Sequence, residues 1–171
     1  MPLNYVITFI GDDQTGIVGA LSAVIEKHGG NWLESQLSKL GGKFAGIILV
    51  ALPDQAVEEL HAELKTLRGG QWSVRITPTE AVGVVPELAN LTLSILGPDR
   101  PGIVKEVSRA LAEAGINVLE LESRVENAAF TGEAMFRAEI HAQTPDNQPI
   151  RAIENQLDAI AEAMTLDIDI S

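Results

Sequence analysis

The strongest constraint on this chain is that it is written twice. "GDDQTGIV" occupies Gly11 to Val18 and "GPDRPGIV" occupies Gly97 to Val104, both reading Gly-x-Asp-x-x-Gly-Ile-Val, 86 residues apart in a chain of 171. The same offset matches Gly29 with Gly115, Asn31 with Asn117, Glu34 with Glu120 and Phe44 with Phe130. A period this long, present only twice, is not that of a solenoid. Two tandem domains are expected instead: residues 1–80, a linker over 81–90 inside the proline-bearing "PTEAVGVVPELAN", and residues 91–171.

Within each copy the hydrophobic period switches in the same order. Tyr5, Ile7 and Phe9 alternate with Val6, Thr8 and Ile10, and Leu91, Leu93 and Ile95 alternate with Thr92, Ser94 and Leu96, as in strands. Helical spacing follows at Ile17, Leu21, Val24 and Ile25, and at Ile103, Val104, Val107 and Leu111. Gly29 and Gly115 end those helices, as glycine just past a helix commonly does. Second strands begin at Asn31 and Asn117, the latter with Leu119, Leu121, Ser123 and Val125 on one face. Gly41-Gly42 turns copy one into a third strand, 44–52, and a longer turn over 126–132 serves copy two. Second helices are predicted on Val57, Leu60, Leu64 and Leu67, and on Ile150, Ile153, Leu157, Ile160 and Met164; short final strands follow at 74–76 and 166–170. Each copy is therefore β-α-β-β-α-β, and the fold class is α+β: two ferredoxin-like units, each an antiparallel sheet with both helices on one face. Ile47 and Leu49 alternate with Ile48 and Val50, so burial on both faces of that strand is expected, by packing of the copies or by homo-oligomerisation.

Composition narrows the chemistry. A chain of this length buries roughly 70% of its unfolded surface and needs no staple. The absence of cysteine excludes disulfides, Cys-ligated zinc and thiol chemistry. The start, MPLNYVITFIGDD, has no basic residues and only a short apolar run, so it reads as a strand rather than a signal peptide or membrane span. Cytoplasmic residence is expected. Residues 1–86 hold 6 Lys/Arg against 9 Asp/Glu, and residues 87–171 hold 6 against 15, for a net −12. Nonspecific affinity for nucleic acid comes from cations that neutralise phosphates, so direct DNA or RNA binding is not expected. With aromatics at 4%, the aromatic platform of an RNA-recognition sheet is missing as well. His28, His61 and His141 are scattered without ligand spacing, and no serine sits with a histidine and an acid. No catalytic residue, metal site or cofactor is assigned, and the chain reads as a binder rather than an enzyme.

The repeated loop suits a small zwitterion. A helix N-terminus offers unpaired N–H groups to a carboxylate, and Gly16 and Gly102 let a ligand approach the backbone. Asp13 and Asp99 offer charge to an ammonium, while Asn31 and Asn117 both donate and accept. A structural reading stands beside this one. Aspartate before a helix is a common N-cap, proline such as Pro101 suits a first turn, and asparagine after a helix-ending glycine suits a turn.

The stretch "GPDRPGIVKEVSRALAEAGINVLELES" resembles the ACT domain, a small-molecule regulatory module of β-α-β-β-α-β topology, and "GDDQTGIVGALSAVIEKHGGNWLES" is a weaker second match. Two such modules together, with "SQLSKLGGKFAGIILVALP", resemble the glycine cleavage system transcriptional repressor family. That resemblance implies an amino-acid-sensing regulator of transcription that acts through a protein partner, such as a DNA-binding activator, under control of glycine or serine. The alternative is a regulatory subunit that directly controls an amino-acid metabolic enzyme. ACT modules hold amino acids at an interface between two modules, through the first loop and the start of the second strand. Carried onto this chain, the positions are Gly11, Asp13, Gly16, Ile17 and Asn31, and Gly97, Asp99, Arg100, Gly102, Ile103 and Asn117. Copy one departs from the pattern with Gln14-Thr15 where copy two has Arg100-Pro101.

Overall fold

The computed structural model describes residues 3–80, 88–145 and 150–171. The chain divides into two compact units, Met1–Gly83 and Val84–Ser171. Unit 1 runs β1 (Leu3–Asp12), α1 (Ile17–Lys27), β2 (Asn31–Leu40), β3 (Lys43–Leu52), α2 (Val57–Lys65) and β4 (Ser73–Pro78). Unit 2 repeats this order as β5 (Leu88–Pro98), α3 (Ile103–Glu113), β6 (Asn117–Asn127), β7 (Ala134–Pro145), α4 (Ile150–Met164) and β8 (Asp167–Ile170). The sheet orders are β2-β3-β1-β4 and β6-β7-β5-β8, with every pairing antiparallel. Each unit is thus the expected ferredoxin-like βαββαβ fold. Most of the expected linker lies outside the described residues, and its last three positions, 88–90, already belong to β5.

Alternation along each strand decides which face is buried. In unit 1, Tyr5, Ile7 and Phe9 face the helices beside Ile48, Val50 and Leu52, and Leu21, Ile25, Leu60 and Leu64 complete the core. In unit 2, Leu93, Ile95, Phe136, Ala138 and Ile140 pack with Val107, Leu111, Ile153 and Leu157. Burying one such leucine contributes on the order of 2 kcal/mol. The opposite sheet face is not covered in the same way. Ile48 and Val50 are fully buried, but Ile47 is 46% exposed and Leu49 is half-buried. Within a single unit, one face of β3 is buried and the other is open.

Two local expectations change. A β-bulge at Leu33 recurs at Leu119, so Val118 rather than Leu119 shares the face of Leu121, Ser123 and Val125. The extra residue in each bulge shifts the alternation by one. The second helix of unit 1 stops at Lys65 instead of running through Leu67. A 3-10 turn over Leu67–Gly69 follows, with Arg68 in the left-handed region at φ 52°, and the Gly69 and Gly70 N–H groups donate to Thr66 O and Leu67 O.

The histidines are tied to structure. His28 lies 2.8 Å from Glu63 across α1 and α2, His61 Nε2 contacts Val74 O at 2.8 Å, and His141 sits between Thr92 and Glu139. Among the described residues no helix is long and apolar enough to cross a membrane.

Candidate functional site

The two motif loops leave β1 and β5 and enter α1 and α3. Gly16 and Gly102 are the N-caps, at φ 79° and 96°, and neither helix has a side-chain cap hydrogen bond. Positive φ explains why glycine stands there, because any side chain in that conformation is strained. The same observation removes one structural reading: Asp13 and Asp99 are not capping side chains. Their backbone N–H groups are used instead, Asp13 to Gly42 O at 3.1 Å and Asp99 to Ala134 O at 2.8 Å, tying each loop to the neighbouring hairpin.

The opening glycines have a packing role. A Cβ on Gly11 would stand 2.5 Å from the Trp72 ring, and one on Gly97 would stand 2.6 Å from the Leu166 side chain and 2.8 Å from Thr165 O. That side of each glycine is closed to any ligand. Ile17 and Ile103 are buried in their cores.

The loops differ in charge. Asp13 pairs with Lys39 Nζ of β2 at 2.5 Å, whereas the exposed Asp99 has no ion-pair partner among the described residues. Arg100 lies exposed in the unit 2 loop. Unit 1 has Gln14 there, yet its loop also receives a guanidinium: Arg68 Nη1 donates to Thr15 O at 2.6 Å and lies 2.9 Å from where a Gly16 Cβ would be. Trp72 holds the turn that delivers it, with Nε1 donating to Leu67 O at 3.2 Å and the backbone N–H to Lys65 O at 3.0 Å. Sequence reading missed both residues, because Arg68 is remote from the motif; the Gly69-Gly70 pair was the one signal of a turn there.

Asn31 and Asn117 are exposed and make no side-chain hydrogen bond among the described residues. The register keeps them away from their own loops. Asn31 pairs with Ala51, which pairs with Asn4, while Gly11 pairs with Phe44. The seven residues from Asn4 to Gly11 span roughly 23 Å of strand. Asn117, Gln143 and Asn90 stand in the same relation to Gly97. Within one unit, then, loop and asparagine occupy opposite ends of the sheet, and one amino acid cannot touch both.

ACT-domain family models match residues 4–71 and 91–158, which together span most of the chain. The chain belongs to the ACT-domain family. Its two ACT domains are 26% identical over 157 residues to the glycine cleavage system transcriptional repressor of Escherichia coli (strain K12), covering 91% of this chain and 82% of that protein. A crystal structure of an unknown protein from Galdieria sulphuraria superposes with a TM-score of 0.88 at 28% identity, over 100% of this chain and 98% of that one. A candidate glycine cleavage system transcriptional repressor superposes at 0.70 with 16% identity, over 100% and 97% of the chains, and shares the fold.

Proposed function

We propose that the protein is a non-catalytic, amino-acid-sensing regulator that controls transcription of glycine-cleavage functions through a protein partner. The observation that carries this reading is the pair of loops, each opening a helix that no side chain caps, with an aspartate and an arginine at hand. Uncapped N–H groups and a guanidinium suit a carboxylate, and the aspartate suits an ammonium. Similarity to the E. coli repressor over 91% of the chain supports the regulatory role, and the net charge of −12 favours action through a partner rather than on DNA.

The separation of loop and asparagine supports ligand binding between modules in a homo-oligomer, with Asp13, Gly16 and Arg68, or Asp99, Arg100 and Gly102, meeting an asparagine of a second chain. Ligand then shifts the equilibrium towards the arrangement that binds it better. Titration calorimetry with glycine and serine tests the reading. Saturable binding, weakened by Asp99→Ala and Asn117→Ala without loss of melting temperature, is expected. Absence of heat with any amino acid at millimolar concentration would overturn it. Co-purification of a DNA-binding protein with the chain is expected in place of a metabolic enzyme.

A further inference from the structure

The open face of the unit 2 sheet carries a cavity of about 340 Å³, whose lining reaches Leu96 but includes no residue of the Gly97–Val104 motif. Its floor is β5, where Ser94 and Leu96 point out of the sheet. The register sets the walls. Ser94 lies directly between Glu139 of β7 and Asp169 of β8, and Leu96 lies between Arg137 of β7 and Asp167 of β8. One row thus places two carboxylates around a hydroxyl. The next places a guanidinium and a carboxylate around an apolar side chain.

Further out, Glu122 stands opposite Glu139 and Arg124 opposite Arg137, like charges in direct cross-strand register, which destabilises a sheet. Arg124 and Arg137 each donate from Nε to Glu126 at 3.0 Å, which leaves the terminal nitrogens of Arg137 without a partner among the described residues. Glu139 lies 3.1 Å from His141 Nε2, while Asp167, Asp169 and Glu122 have no ion-pair partner among the described residues.

Unit 1 serves as an internal control. The corresponding positions of its open face are Thr8 and Ile10 on β1, Ile47 and Ala45 on β3, and Arg75 and Ser73 on β4. The fold therefore forms without a charged array on this face.

We propose that this trough is a binding site for a dibasic amino acid of the lysine class, separate from the motif loops. Four carboxylates and two guanidinium groups line it, so its charge complements a ligand with two ammonium groups and one carboxylate. The α-carboxylate meets Arg137 and the α-ammonium meets Asp167. The methylene chain lies over Leu96, and the terminal ammonium sits above Ser94 between Glu139 and Asp169. The rows are two residues apart along β5, roughly 6.8 Å, which matches the reach of a four-methylene chain. An organic cation is favoured over a metal ion because no group of three or more His, Cys, Asp or Glu among the described residues is arranged to hold one.

The test is titration calorimetry of the full chain with L-lysine, cadaverine, norleucine and glycine. Lysine should bind with one equivalent per chain, cadaverine at least tenfold more weakly because nothing engages Arg137, and norleucine undetectably. The Glu139→Gln/Asp169→Asn variant should lose lysine at least tenfold while keeping its melting temperature and its response to glycine. Glu154→Gln/Asp158→Asn removes the same charge from α4 and should bind lysine normally, as should the loop variant Asp99→Ala. Failure of lysine to bind, or its equal loss in the α4 control, overturns this site and leaves the glycine result to judge the loops. Loss of lysine in Asp99→Ala alone would assign it to the loop and overturn the trough.

Discussion

The two units share one fold and one kind of core, and differ in how the fold's surfaces are furnished. On the open sheet face unit 1 has Thr8, Ala45, Ile47 and Arg75 where unit 2 has Ser94, Arg137, Glu139 and Asp169. At the loops, unit 2 carries its arginine in the motif, whereas unit 1 brings Arg68 from a turn that lies 53 residues along the chain from Thr15. The difference shows which parts of the duplicated sequence the fold requires. The αL glycines, the packed Gly11 and Gly97, the motif aspartates and the alternating core recur; the arginine of the loop and the charges of the open sheet face do not.

The largest expected effects test the claim that the cores are equivalent. Leu60→Ala and Leu157→Ala each empty a fully packed site and should cost about 2–5 kcal/mol. Scanning calorimetry should show each variant lowering the transition of its own unit, and a single unchanged transition in both would break the equivalence. Gly11→Ala comes next. Its Cβ meets a buried indole, so a loss of about 1–3 kcal/mol is expected, with near-ultraviolet dichroism reporting displacement of Trp72.

The loop comparison predicts smaller numbers. Arg68→Ala should weaken one of the two glycine-binding events by roughly tenfold, about 1.4 kcal/mol, and adding Gln14→Arg should restore it by supplying the arginine where unit 2 has it. Restoration failing while the fold persists would mean that the two arginines are not equivalent. Asp13→Ala should alter Lys39 as well as binding, since those two are paired, whereas Asp99→Ala should act on binding alone.

The smallest effects concern acid. Hydrogen bonds from Lys27 and then His28 hold Glu63 below its ordinary 4.5, and those from Arg137 and then Arg124 do the same for Glu126. A carboxylate depressed in the folded state stabilises fully above its unfolded value, and that stability is lost as pH falls through the folded one. Glu63→Gln and Glu126→Gln should therefore flatten the loss of stability below about pH 4.5, each in its own unit, in acid titrations followed by dichroism.

Strand and helix order were legible because alternation and helical spacing are local and were each written twice. The bulges at Leu33 and Leu119 were not, since an extra residue on one strand becomes visible only against its partner. The αL caps were hidden behind Asp13 and Asp99, which resemble capping residues by position yet make no cap. Adjacency along the chain also suggested that loop and asparagine face one another. Because β1 and β2 both run antiparallel to β3, that adjacency becomes separation by the length of the sheet.

The contact between Trp72 and Gly11 has a practical consequence. Both tryptophans of the chain, Trp32 and Trp72, belong to unit 1, one packed against its core and the other buried in it. Indole emission therefore reports on one half of a duplicated molecule while backbone dichroism reports on both. Subtracting one melting curve from the other isolates the unit that has no optical label, without any engineered probe.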